Sequence, residues 1–449
     1  MKLDWKKTFL IGFGFFGISV IWQIYNAFVP IFLQAGRPGF EAGVPGFGLN
    51  ATTSGVIMGL DNLAALFILP VIGVWSDRVR TRIGRRYPFI VTAAPVAAVA
   101  FLLMPLAARM IDPAQSGSVG ENLVPFILFI AGAAVMLLAM AVLRTPVVSL
   151  MPDLTPSPLR SKANGVINFM GGVGVLVASF GLARLFNVTP ILPFIGGAAI
   201  LLAAVVMLFV LVREPKIEDL PQVGEHEASD EEQALGALRG FRIVPPAYRR
   251  SLIFLLLAIF SWFVAYDGVG TFFTSYAVNV LDVSAGDAPT LFGIAGLMFI
   301  LFAIPPGFLG ERWGRRNTIR IGLGIFTVGL IVGYFLNSAV LIGIILGVGG
   351  IGWALVNINS LPMVVDTIDD PRLLGTYTGF YYLASQTGSA LAPTITGGII
   401  DLFGGNYRSI FFAAPVFFIL AIVFMTLVTR GEAHREPSTV ADAVEALGD

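Results

Sequence analysis

Twelve apolar stretches run the length of this chain, and they decide what it can fold into. They fall at about 8–33, 53–76, 88–108, 123–149, 163–187, 190–212, 251–277, 288–309, 318–337, 339–361, 374–400 and 407–430. Each holds the roughly 20 apolar residues that an α-helix needs to cross a bilayer. In hydrocarbon the backbone must satisfy its own hydrogen bonds, which stretches of this length do as helices. The expected fold class is therefore an all-α membrane protein with twelve transmembrane helices. Of 449 residues, 56% are hydrophobic and only 12% charged, against roughly a quarter charged in a soluble domain. The first stretch is too long for the core of a signal peptide and counts as a true span.

A polar segment over 213–250, rich in Glu and Asp, divides the spans six and six. The expected organisation is an N-terminal six-helix bundle over 1–212, a cytoplasmic linker over 213–250, a C-terminal bundle over 251–430 and a tail over 431–449. Lys and Arg fix the orientation. With the N-terminus inside, 23 of the 28 fall in cytoplasmic segments and only Arg37, Arg109 and Arg408 outside. Both termini are expected on the cytoplasmic side of the plasma (inner) membrane.

The halves repeat. Gly84-Arg85-Arg86, after the second span, recurs as Gly314-Arg315-Arg316 after the eighth. Ser149 to Asp153, closing the fourth span, has a counterpart in Ser360 to Asp366, closing the tenth. Two six-helix pseudo-repeats related about the membrane normal are one plan of secondary transporters, with the binding site between them.

Several classes of chemistry are excluded. Net charge is zero, so there is no basic footprint for nucleic acid. Cysteine is absent, which removes disulfides, thiolate metal sites and thiol nucleophiles together. The two histidines, His226 and His434, lie in polar segments, so neither a Ser–His–Asp set nor a metal cluster can form among the spans. No phosphate-cradling glycine loop is present. An enzyme is not expected, nor any cofactor or metal. The expected partners are the lipid bilayer, a proton and a small-molecule substrate.

Two carboxylates stand near mid-depth: Asp61 in the second span and Asp267 in the seventh. An acid at that depth is a functional candidate by default, and these two are the candidate proton carriers. Satisfaction by a neighbour such as Asn62 or Tyr266 is the plainer alternative. The first span carries Trp22, Gln23 and Asn26. Amides and an aromatic plate suit a ring of hydroxyls with apolar C–H faces, so these residues and Asn62 are substrate-binding candidates for a sugar. Asn357, Asn359, Tyr381, Tyr382 and Gln386 are weaker candidates from the other half. Arg144, inside an apolar helix, must have a partner. It either pairs with a gate carboxylate such as Asp77 or Asp153, or works with Asp61 or the substrate. Asp77, Arg78, Arg85, Arg86 and Asp153 form one set of gating candidates, and Glu311, Arg315 and Asp366 the other.

The turn Gly73-x-x-x-Asp77-Arg78, followed by Gly84-Arg85-Arg86, resembles the loop motif of the major facilitator superfamily. Its longer form, from Ser76-Asp77-Arg78 through Arg82 to Pro88-Phe89-Ile90, is similar to that of the sucrose carriers and the wider glycoside–pentoside–hexuronide carriers. Trp22 before Pro30, and Asp153 followed by Arg160 and Ala163-Asn164, resemble that group too. Val148 stands where plant sucrose carriers place an arginine, and Ala65 and Leu69 where sodium-coupled melibiose-type carriers place aspartates. The resemblance implies a monomer that takes up a glycoside or disaccharide with protons by alternating access. The alternatives are an exporter or carrier of another small molecule, and a non-transporting membrane sensor or scaffold.

Overall fold

The computed structural model describes residues 3–40, 42–155, 159–214, 244, 246–367 and 374–432. The side chains of 61, 63–67, 69–70, 73–74, 77–78, 161, 246–247 and 374–375 lie outside the described set. The roles expected of Asp61, Asp77 and Arg78 therefore lie outside the described residues, as do most of the expected linker and tail.

Among the described residues thirteen α-helices follow one another, consistent with the expected all-α class. In the first half they are α1 (Trp5–Gln34), α2 (Ala51–Arg78), α3 (Tyr87–Ala108), α4 (Leu123–Leu154), α5 (Arg160–Leu176) and α6 (Leu192–Leu211). In the second they are α7 (Pro246–Leu281), α8 (Ala288–Leu301), α9 (Pro305–Trp313), α10 (Arg315–Tyr334), α11 (Ala339–Val365), α12 (Leu374–Leu402) and α13 (Ile410–Leu427). Among the described residues nine helical spans are long and apolar enough to cross a membrane, and the pair α8–α9 makes a tenth. At 28 and 29 residues, α2 and α12 are about 40 Å long, ample for the remaining two spans.

Two spans depart from the simple expectation. The stretch over 288–309 is broken, with α8 and α9 bent by 63°. Pro305 and Pro306 begin α9. Neither has the N–H that a continuous helix needs, and each ring crowds the preceding turn. Asn359 of α11 donates to the Pro306 carbonyl at 3.0 Å, which satisfies a backbone group at the break. In the fifth span, α5 passes into a π-helical turn over Val177–Leu182 and a 3-10 turn over Ala183–Asn187.

Each half repeats one packing scheme. α1 packs on α5 and α6 as α7 packs on α12 and α13; α3 packs on α4 and α6 as α10 packs on α11 and α13. Between the halves, α2 packs along α12, α5 against α8 and α1 against α7. Aromatic rings fill the interior of each half. Phe28 stacks on Phe186 at 4.2 Å in the first, and Tyr266 on Trp353 at 3.9 Å in the second. Large apolar side chains such as Val99, Val206 and Val328 are more than half exposed on the outer surface, as a lipid-facing belt requires.

Candidate functional site

A cavity of about 600 Å³ lies between the halves, within the range of small-molecule sites. The first half contributes Trp22, Gln23 and Asn26 from α1, Asn62 from α2, Arg144 from α4 and Asn168 from α5. The second contributes Tyr266, Asp267 and Thr271 from α7, Phe292 from α8 and Ser389 from α12. Residues 22, 23 and 26 reach it together because one turn of α1 presents them on one side. Among the described residues, the Gln23 and Asn26 amides make no side-chain hydrogen bond, so their donors and acceptors face the cavity. Asp267 accepts a hydrogen bond from the Ser389 hydroxyl across the α7–α12 contact. The Tyr266 ring is held flat against Trp353, 5° from parallel, and forms a fixed aromatic wall. Trp22 meets Tyr25 edge-on at 5.8 Å on the opposite side.

Six sequence candidates thus come together here: Trp22, Gln23, Asn26, Asn62, Arg144 and Asp267. Of the expected contributors from the second half, Asn357 and Gln386 are half-buried and do not line this cavity. Asn359 is spent on carbonyls, those of Pro306 and Leu355. Tyr381 is buried against Tyr382 and Phe263. Ser389, Asn168 and Thr271 were missed, since single Ser, Asn and Thr residues inside spans carry no signal of which way they face.

The gating candidates form two small knots on the face that carries the Gly-Arg-Arg turns. In the first, Asp153 at the end of α4 lies 2.7 Å from Arg85 Nη2 and 3.1 Å from Arg86 Nε. Glu214, directly after α6, accepts from the Arg86 backbone N–H at 3.0 Å. In the second, Asp366 at the end of α11 pairs with Arg315, and Glu432 after α13 accepts from the Arg316 N–H at 3.3 Å. Gly84 and Gly314 hold φ at +111° and +86°, a region that suits glycine, and so turn each loop back over its carboxylate. Each knot ties helix ends within one half. Asp153 is engaged by Arg85 and Arg86, and Arg144 lines the cavity. Glu311 is exposed. Glu214 and Glu432 were missed, although each directly follows the last span of its half.

On the opposite face the halves are clasped together. Asp401, near the end of α12, pairs with Arg37 at 3.1 Å. Its carboxylate also accepts from the Ala51 N–H at 3.2 Å, and from the Thr52 N–H at 2.7 Å and the Thr52 hydroxyl at 2.6 Å. An acid of one half thus caps the first turn of α2 in the other, where the helix dipole favours negative charge. A second clasp joins Asn187 to Ser284 at 2.9 Å and to Asp287 at 3.1 Å, with Arg184 3.4 Å from Asp287. The two halves thus meet in a seal of polar contacts on the Asp401 face.

The comparisons agree with this architecture. The model of the Major Facilitator Superfamily matches residues 11–372 and 290–447. The drug efflux pump JefA of Mycobacterium tuberculosis is 27% identical over 192 residues, 40% of this chain; the match spans 37% of that pump's length. The class H tetracycline resistance protein of Pasteurella multocida is 23% identical over 87% of this chain and 88% of its own. The isoprimeverose transporter of Lactiplantibacillus pentosus is 23% identical over 80% of this chain and 74% of its own. Among solved structures, a point mutant of the nucleoside transporter NupG superposes with a TM-score of 0.70 at 14% identity, covering 94% of this chain and 100% of that one. The D-xylose-proton symporter gives 0.63 at 15% identity, covering 95% and 97%. At these identities the solved structures speak for the fold alone. With twelve expected spans in two matching halves and a cavity between them, the chain belongs to the major facilitator superfamily of membrane transporters.

Proposed function

We propose that this transporter takes up a glycoside or disaccharide together with protons by alternating access. It works as a monomer in the plasma (inner) membrane with both termini cytoplasmic. The observation that carries this reading is the make-up of the cavity. Three amides from one half, Gln23, Asn26 and Asn62, face a carboxylate and two hydroxyls of the other, Asp267, Ser389 and Thr271. Aromatic rings stand on both sides, Trp22 on one and Tyr266 on the other. A sugar needs this combination of polar edge and flat apolar face. Asp267, and Asp61 from α2, carry the proton, since a carboxylic acid at this depth is costly unless its charge is used. The excess of Lys and Arg on the Gly-Arg-Arg face supports a cytoplasmic assignment for it. With that assignment, the contacts on the Asp401 face support reading this as an inward-facing form.

Reconstituted vesicles test the reading. Counterflow with a panel of radiolabelled disaccharides should show one that exchanges, and an imposed inward proton gradient should drive its accumulation. Asp267→Asn should keep exchange and lose uphill accumulation at least tenfold. No exchange of any sugar, or accumulation indifferent to the gradient, would overturn the proposal.

A second reading is export of a lipophilic small molecule. Phe15, Phe273, Phe292 and Met58 also line the cavity, and similar proteins include a drug efflux pump, a multidrug resistance protein and a tetracycline resistance protein. Ligand-dependent thermal stabilisation separates the two, because a ligand that binds only the folded state raises Tm. Stabilisation by sugars alone supports uptake; stabilisation by hydrophobic cations alone supports export.

A further inference from the structure

One helix touches both the cavity and the seal. Along α12 the residues Ser389, Pro393, Gly397 and Asp401 are spaced four apart and so follow one stripe. Ser389 donates to Asp267 at the cavity. Pro393, within the helix, has no N–H to give to the Ser389 carbonyl, so the backbone is loosened between these two positions. On both sides of that joint the helix lies almost backbone to backbone against α2, and on the cavity side a methyl group on Gly59 would sit 2.4 Å from the Ala390 carbonyl oxygen. A methyl group on Gly55 would sit 2.2 Å from the Pro393 carbonyl oxygen, and one on Gly397 2.3 Å from that of Ala51. Such close approach through small residues is how membrane helices gain packing without a hydrophobic driving force. The stripe ends at Asp401, whose carboxylate is shared between Arg37 and the first turn of α2.

We propose that this face of α12 is a spine linking the cavity to the seal, with Asp401 the clasp residue and Ser389 the positioning residue that anchors the spine at Asp267. The end beyond Pro393 follows α2 while the seal is closed. The hydrogen bond from Ser389 to Asp267 sets the angle at which that end meets α2. A change of partner at Asp267, by substrate or proton, is then felt at Asp401 as a change in fit along the α2 contact. The proposal rests on the alternating-access reading but not on the cargo. Its test reads distance rather than transport, so failure of sugar uptake and failure of the spine are told apart.

The chain has no cysteine, so spin labels can be placed without background. Glu121→Cys, before α4, and Val340→Cys, in the first turn of α11, put labels at exposed sites of the two halves on the Asp401 face. Double electron–electron resonance on the full chain in nanodiscs should give mainly one short distance. Asp401→Asn should raise the ratio of long to short distances about tenfold, since it weakens several charge-assisted hydrogen bonds together. Arg37→Gln, which leaves α12 untouched, should shift the ratio in the same direction by roughly threefold. Ser389→Ala should also open the seal, from a position that is not part of it, and Ser389→Thr, which keeps the hydroxyl, should restore the native ratio. Native distances in both Asp401→Asn and Arg37→Gln would overturn the clasp. An opened seal in Asp401→Asn with a native one in Ser389→Ala would overturn the link.

Discussion

The two Gly-Arg-Arg knots have the same parts and different surroundings. In the first half, the side chains of Arg86 and Glu214 are each 3% exposed and that of Asp153 13%. In the second, those of Arg316, Asp366 and Glu432 are 35%, 39% and 40% exposed. The same helix ends supply the acids in both halves, but the pairing differs: Arg86 pairs with Asp153, whereas its counterpart Arg316 pairs with Glu432. What also differs is water. A buried pair that loses one member leaves an uncompensated charge, whereas an exposed pair is replaced by solvent. The first knot therefore ties the start of α3 to the ends of α4 and α6 where little water reaches, and its copy is more exposed.

Substitutions can break or sharpen this contrast. The largest effect is expected from Asp153→Ala, which removes the carboxylate shared by Arg85 and Arg86 where little water reaches. It should cost about 3–5 kcal/mol, seen as a large fall in Tm in detergent or as loss of folded protein. Gly84→Ala should come next, at about 1–3 kcal/mol, because φ is +111° and the added methyl would meet the buried Glu214 carboxylate at 2.1 Å. Gly314→Ala should cost less, since the added methyl would meet the Glu432 carboxylate at the longer distance of 2.9 Å and that side chain is 40% exposed. The smallest effect is expected from Asp366→Ala, about 1 kcal/mol or less, shrinking further in high salt. Equal falls in Tm for Asp153→Ala and Asp366→Ala would show that burial does not set the difference.

Much of this could be read along the chain, for reasons that lie in particular residues. The Arg85, Arg86, Asp153 set and its copy were visible because charges are rare in an apolar sequence and recur at matching places. Trp22, Gln23 and Asn26 were visible because they sit together on one turn. Asn357 and Gln386 were equally polar and equally deep, yet they do not line the cavity. Helices α11 and α12 have apolar residues on most faces, so no stripe in the sequence says how each is rotated. The α8–α9 break was announced by Pro305-Pro306, but a proline within a span is often tolerated and the angle depends on what fills the gap, here Asn359. Asp401 carried no warning of its role, because its partners Arg37, Ala51 and Thr52 lie some 350 positions earlier in the chain.

The sequence by itself determined the number of expected spans and the recurrence of the charged Gly-Arg-Arg turn. A bilayer of fixed thickness that forbids unsatisfied backbone leaves no other use for twelve such stretches. Only the tertiary structure decided which side of each helix looks into the cavity and which acid clasps which base. In lipid those choices are set by close packing between distant segments, Gly55 on Pro393 or Tyr266 on Trp353, and not by any difference in hydrophobicity that a linear pattern could record.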